Sequence, residues 1–249
     1  MKNLLIDGDG IAFQLCIGLE HEVRWSENLH TLHSNPQEAI DGFLVWLREM
    51  QDTFAAINYK FAFTGSKNFR KGVDNTYKFH RKKTRKPLAY SALLEFIEEN
   101  YDCTTVDELE ADDLLGIWQT DPEAEDTCII SDDKDLLTIP GRVYRLGELH
   151  TISRTEADYH WLKQSLMGDT ADGYKGCPGV GEKAAEKLLS EFRKTGELAV
   201  GWQAVVDAFT KAKLTGEDAL RQARLARILR YEDYPDNEIK LWSPEGLYE

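Results

Sequence analysis

The chain opens with an apolar run that stops abruptly at acids and glycines, LLIDGDG. A short apolar run bounded by turn residues predicts a buried strand, here with Asp7 at its carboxyl end. Over 36–59 the apolar positions recur at helical spacing, with Ile40, Phe43, Leu44 and Leu47 on one face. Residues 60–63 predict a short strand. Residues 88–100 predict a second helix, through Leu93, Leu94, Phe96 and Ile97. A third, over 108–118, opens with acids, which suits the positive end of a helix dipole. TCIIS, at 127–131, reads as another buried strand with two acids directly after it, and 143–146 as one more. Strands alternating with helices imply an α/β fold: a mostly parallel central sheet flanked by helices. Such sheets bind ligands at the carboxyl ends of their strands. Asp7 and the acids of 132–135 lie at such ends.

From about residue 155 the pattern is helical, broken only by GYKGCPGVGEK, which is too rich in glycine and proline for anything but a loop. A boundary near 151–156 therefore divides 1–154, an α/β core, from 155–249, a helical subdomain. No apolar run is long enough to span a bilayer. The amino terminus lacks a long apolar segment and a small-residue cleavage site, so we expect a cytoplasmic protein, in the host cell if the chain is viral. Cys16, Cys103, Cys128 and Cys177 form no CxxC pair and are expected to be buried free thiols.

The net charge of −14 taken alone disfavours a polyanionic partner. Its distribution reverses that inference. Residues 60–86 hold ten basic side chains and one acid, Asp74, with Phe69, Tyr77 and Phe79 among them. A local basic segment is an electrostatic footprint for phosphate, and interleaved aromatics suit base stacking.

Carboxylates are the strongest chemical signal. Asp7 follows the first strand; Glu110, Asp112 and Asp113 sit in LEADD; Asp133 and Asp135 in SDDKD; Asp169 and Asp172 in GDTADG. Singly, each group reads as a solvated face or a helix cap. Four groups at strand ends and helix starts point to hard divalent cations, which prefer oxygen ligands. Two such ions, roughly 4 Å apart, activate water and stabilise the leaving oxygen in phosphodiester hydrolysis. In GCPGVGEKAAEKLL a glycine turn leads into a helix, aiming backbone amides at an anion, with Lys183 and Lys187 one turn apart.

Together these segments resemble the 5′-nuclease superfamily of flap endonucleases and 5′–3′ exonucleases, most of all its T7-type phage branch. The closer match is carried by AFTGSKNFRK, DNTYKFHRKKTRKP, LEADDLLG, IISDDKDLLTIP, GDTADGYKG and ARILRYEDY. The resemblance implies a PIN/5′-nuclease-like core, a basic helical clamp or arch at about 64–100, and a helix–two-turn–helix element at about 173–190. It implies two Mg²⁺ or Mn²⁺ ions, the first among Asp7, Glu110, Asp112 and Asp113, the second served by Asp133, Asp135, Asp169 and Asp172. Asp9 and Asp132 flank these motifs without matching them. The resemblance puts Lys78 and Arg81 at the scissile phosphate as catalytic residues. Arg70, Tyr77, Lys82, Lys83, Arg85, Gly179, Gly181 and Lys183 would contact DNA, and K⁺ would sit at the hairpin carbonyls. Implied partners are DNA with 5′ ends, duplex or flapped, RNA–DNA hybrids and replication proteins; the implied setting is phage DNA replication, primer removal or DNA degradation.

One position departs from the family: Gly65 stands where an aspartate usually adds to the metal site. The expectation is that Gly65→Asp strengthens metal binding, unless the glycine is needed for a positive φ. Two alternatives compete with the nuclease. A haloacid-dehalogenase-like phosphatase would use DGDG and GDTAD, but needs a strand before the second. A DNA-binding protein that has lost its chemistry would draw on Gly65 alone.

Overall fold

The computed structural model describes residues 1–79 and 85–247. In chain order the elements are β1 (Asn3–Asp7), α1 (Gly8–Ile17), β2 (His21–Ser26), β3 (Leu29–His33), α2 (Pro36–Phe54), β4 (Asn58–Thr64), α3 (Arg70–Val73), α4 (Tyr90–Asn100) and β5 (Asp102–Val106). There follow α5 (Ala111–Thr120), β6 (Thr127–Ile130), a 3-10 turn (Lys134–Thr138), β7 (Gly141–Arg145), β8 (Glu148–Ile152) and α6 (Arg154–Met167). The last helices are α7 (Glu182–Leu188), α8 (Ser190–Thr195), α9 (Leu198–Lys211) and α10 (Gly216–Ala226).

The main sheet runs β5-β4-β1-β6-β7-β8. Its neighbours pair in parallel except β7 with β8. β1 lies inside this sheet, and its alternation sends side chains to two separate cores. Leu4 and Ile6 join Phe43, Phe61, Leu93 and Ile97 under α2 and α4. Leu5 joins Leu115, Ile129, Leu136 and Val143 under α5. Burial on both faces explains why LLI reads as a continuous apolar run. Full burial of each such side chain contributes roughly 1.5–3 kcal/mol. A third cluster, built on Trp161, Phe192, Trp202 and Phe209, holds α6 to α10 together. The segment after α10 then returns to the sheet, where Ile228 and Leu229 pack into the α5 cluster.

Several elements differ from expectation. The helix over 36–59 stops at Phe54: Ala55 turns left-handed with φ 50°, and Asn58 already belongs to β4. Its buried stripe is Ala39, Phe43, Leu47, Met50 and Phe54, while Leu44 is exposed. The β2–β3 hairpin, β5 and β8 have no counterpart in the pattern reading. All four cysteines are free; three are buried and Cys103 is half-buried. Among the described residues no helix is long and apolar enough to cross a membrane.

Candidate active site

The carboxyl ends of β1, β4 and β6 and the start of α5 open onto one cleft of about 540 Å³, lined by Asp7, Glu110, Asp112, Asp133 and Lys78 among others. Behind it a cavity of about 20 Å³ is lined by Glu110, Asp112, Asp135, Asp172, Tyr77 and Tyr174. Glu110 and Asp112 thus form the wall between two acidic chambers.

Each acid is aimed by its local backbone. Asp7 ends β1 and caps α1, accepting from the Gly10 amide (2.9 Å) and from Ser131 Oγ (2.8 Å). Glu110 is the extended residue before α5, which lets Asp112 face the cleft from the first turn. In SDDKD the Asp133 amide donates to Ser131 Oγ (3.1 Å) and the Asp135 amide to Asp133 Oδ1 (2.8 Å). Gln164 Nε2 holds Asp135 Oδ1 at 2.6 Å. Asp169 Oδ1 accepts from the Ala171 and Asp172 amides, folding GDTADG into a tight turn. Gly168 and Gly176 close that loop at φ 71° and 63°. A Cβ on either would come within 2.6 Å of the other strand's backbone, so both must be glycine.

Three residues do other work than the sequence suggested. Asp113 is fully buried and absent from the cleft wall. It takes a bidentate pair from Arg70 (2.7 and 2.8 Å) and the amides of Glu110 (3.1 Å) and Leu229 (3.1 Å). All of its acceptor capacity is engaged, so it locks α5 in place and is no metal ligand. Arg70 is 2% exposed and cannot reach DNA. It ties Asp113 and Glu110 to the carbonyls of Leu225 and Arg227. Tyr77 is 3% exposed and offers no face to a base; its hydroxyl is within reach of Glu110 (3.0 Å) and Asp172 (2.9 Å).

Lys78 does enter the site, with Nζ 2.6 Å from Glu110 and 3.4 Å from Asp172. Arg85 pairs with Glu20 at 2.6 Å, so its charge is already partnered. Arg81, Lys82 and Lys83 lie outside the described residues. Gly179 and Gly181, ahead of α7, and Lys183, in its first turn, are exposed. Gly179 has φ 78°, whereas Gly181 is extended at φ −95°. Asp9 accepts from the Thr64 amide and Tyr90, and Asp132 from the Leu146 amide and Gln14, so both anchor loops. Ser131, Lys134 and Gln164 were not singled out from sequence. The first two stand inside the SDDKD motif, but nothing local marks Gln164.

Gly65 resolves differently from both readings. Its φ is not positive, yet a Cβ there would sit 2.2 Å from the Val106 carbonyl oxygen. Its amide donates to Leu109 O (2.9 Å), and the Ala111 amide donates to Thr64 Oγ1 (3.2 Å). The glycine lets the end of β4 press against the loop that carries Glu110 and Asp112. Gly65→Asp is therefore expected to lower both thermal stability and cleavage rate. A variant with a leftward shift in its Mg²⁺ dependence would contradict this.

Electrostatics mark the acids as crowded. Burial raises the Asp7 carboxyl to about 6, against the lowering by the Gly10 amide and Ser131. Burial and Asp133 raise Asp135 to about 7. Asp112 is pushed well up by burial, then by Asp133 and Asp7. Burial also pushes Glu110 upward, but Lys78 and Arg70 outweigh it and hold the carboxyl at about 2. A carboxyl raised in the folded state makes that state bind protons first. The metal-free protein should therefore gain stability as pH falls from 8 through about 7 and 6. The half-buried His160, lowered from 6.5 by desolvation, opposes this in part. Thermal melts in chelator should give a higher Tm at pH 5.5 than at pH 8, and Mg²⁺ should raise the pH 8 value. An equal or lower Tm at pH 5.5 would refute the crowding argument.

Among the described residues no three acidic, histidine or cysteine side chains already form a closed metal cage. Lys78 and Lys134 stand between the acids instead, Lys134 at 3.2 Å from Asp169 and 4.0 Å from Asp135. The donor set is nonetheless all oxygen, and its raised carboxyls call for cations, which fits Mg²⁺ or Mn²⁺.

The profile described as "5′-3′ exonuclease, N-terminal resolvase-like domain" matches residues 2–163. The chain is 31% identical to the exodeoxyribonuclease of Enterobacteria phage T3, over 98% of this chain and 93% of that protein. It is 32% identical to the exonuclease of Escherichia phage T7, over 97% and 93%. A solved structure of the bacteriophage T5 D15 flap endonuclease, in complex with DNA and metal ions, shares the fold. Its TM-score is 0.58 at 13% identity, covering 91% of this chain and 99% of that one. The fold, the acid-lined cleft and these likenesses lead to one conclusion: the chain belongs to the 5′–3′ exonuclease family.

Proposed function

We propose that this protein is a divalent-metal-dependent 5′–3′ nuclease that hydrolyses phosphodiester bonds near 5′ ends of duplex or flapped DNA. The observation that carries the reading is the convergence of Asp7, Glu110, Asp112, Asp133, Asp135 and Asp172 with Lys78 around one cleft and its inner chamber. Asp7, Glu110, Asp112 and Asp133 would hold one ion and Asp135, Asp169 and Asp172 a second. Bound there, the ions would activate water and stabilise the departing oxygen. Lys78 adds positive charge where the phosphate gains negative charge. Tyr77 and Arg70 keep Glu110 oriented, and Ser131 does the same for Asp7. The exposed turn at Gly179–Lys183 would hold duplex backbone without reading sequence. Family likeness alone supports K⁺ at that turn, RNA–DNA hybrids as substrates and replication proteins as partners.

The phosphatase reading loses its footing, because Gly168-Asp169 follows helix α6 and not a strand. The test is incubation with Mg²⁺ and a 5′-labelled duplex, nicked or flapped, beside a small phosphate ester. Short labelled products that vanish in excess chelator support the nuclease. Cleavage of the ester alone, or binding without cleavage, overturns it.

A further inference from the structure

The wall of the acid-lined cleft also carries Lys86 and Arg145, on opposite flanks of β1. Arg145 is the last residue of β7, two strands from β1 and so about 10 Å across the sheet edge. Its Nε donates to the Asp132 carbonyl (2.9 Å), which fixes the guanidinium plane. Its two terminal nitrogens have no partner among the described residues. A half-buried guanidinium held by one nitrogen and open at the other two is set for bidentate contact with a planar or tetrahedral oxyanion. Opposite, Lys86 Nζ lies 4.2 Å over the Tyr90 ring, and Tyr90 is itself bonded to Asp9. Phe13 on α1 lines the cleft, half-buried, giving an apolar surface to a base or sugar. The volume suits a single nucleotide.

We propose that Arg145 forms a subsite for the 5′-terminal phosphate of the strand being degraded. The proposal rests on the nuclease reading. Arg145 stands two strands from Asp7, so the phosphate it binds is a different one from the phosphate whose bond breaks. Water oxygen joins the scissile phosphorus, the bond from phosphorus to the 3′ oxygen breaks, and a proton goes to that oxygen. The released nucleotide keeps its own 5′-phosphate and gains a 3′-hydroxyl. The shortened strand now ends in a 5′-phosphate, so each round regenerates the anion that the subsite binds.

The test compares identical duplexes ending in a 5′-phosphate or a 5′-hydroxyl, in Mg²⁺, for the unaltered protein, Arg145→Gln and Arg145→Lys. The unaltered protein should favour the phosphorylated end by on the order of tenfold in kcat/KM, the scale of a charge-assisted contact. Arg145→Gln should erase that preference by slowing only the phosphorylated end, and Arg145→Lys should retain part of it. Equal rates on both ends in the unaltered protein would overturn the subsite. So would an equal slowing of both ends in Arg145→Gln, which would make Arg145 a support for the Asp132 loop. Absence of cleavage at either end would overturn the nuclease reading and the subsite with it.

Discussion

Replacing Lys78 with alanine is expected to slow cleavage by on the order of a hundredfold while changing DNA affinity little. Lys78 is placed among the acids, within 2.6 Å of Glu110 and 3.4 Å of Asp172. A cation there acts on charge that grows as the phosphate reacts, and contributes far less to the ground-state complex. Affinity has other sources. Arg70 is buried and Arg85 is paired with Glu20, but Lys67, Lys71 and Lys86 are exposed on the same segment. Each contributes through the long-range, salt-sensitive attraction to phosphates, so losing one of several has a small effect. Single-turnover rates and separately measured dissociation constants distinguish the two quantities. A parallel fall in both would reduce Lys78 to a tether.

Arg70→Ala should be the most destabilising single change, costing about 3–5 kcal/mol. It would strip Asp113 of two hydrogen bonds and Glu110 of one, all in the interior, and free the Leu225 and Arg227 carbonyls. A buried carboxylate left without its cation bears the full cost of desolvation. For a chain of this size the loss corresponds to a fall in Tm of roughly 10 °C or more. Denaturant unfolding checks the prediction; a loss below about 1 kcal/mol would show that water or neighbours re-pair Asp113.

The split between what sequence revealed and what it concealed follows from range. β1, β6 and the acids at their ends were legible because burial on both sheet faces writes a local apolar run, and each run stops at its acid. Lys78 was reached through motif resemblance. The β2–β3 hairpin was invisible because its burial is almost uniformly low, so it carries no alternation between faces. β5 is a short, half-buried edge strand with the same weakness. The helix over 36–59 was drawn too long because AAINY keeps an apolar rhythm through a left-handed turn at Ala55. The true roles of Arg70, Asp113 and Tyr77 depend on partners up to 157 positions away. Nothing near an arginine in a basic segment announces that it faces inward. Gly65 shows the same limit: its reason lies at Val106, at the end of the neighbouring strand β5.

The clasp between Asp113 and the Leu229 amide also sets an order of events during synthesis. The acids of β1 and α5 are synthesised long before residue 229. Until it is made, Asp113 lacks an amide partner and Arg70 lacks the Leu225 and Arg227 carbonyls. The helix that carries Asp112 and Asp113 is therefore fastened late, by residues 225–229. A chain that stops before residue 225 is left with that clasp open and its α5 acids unsecured.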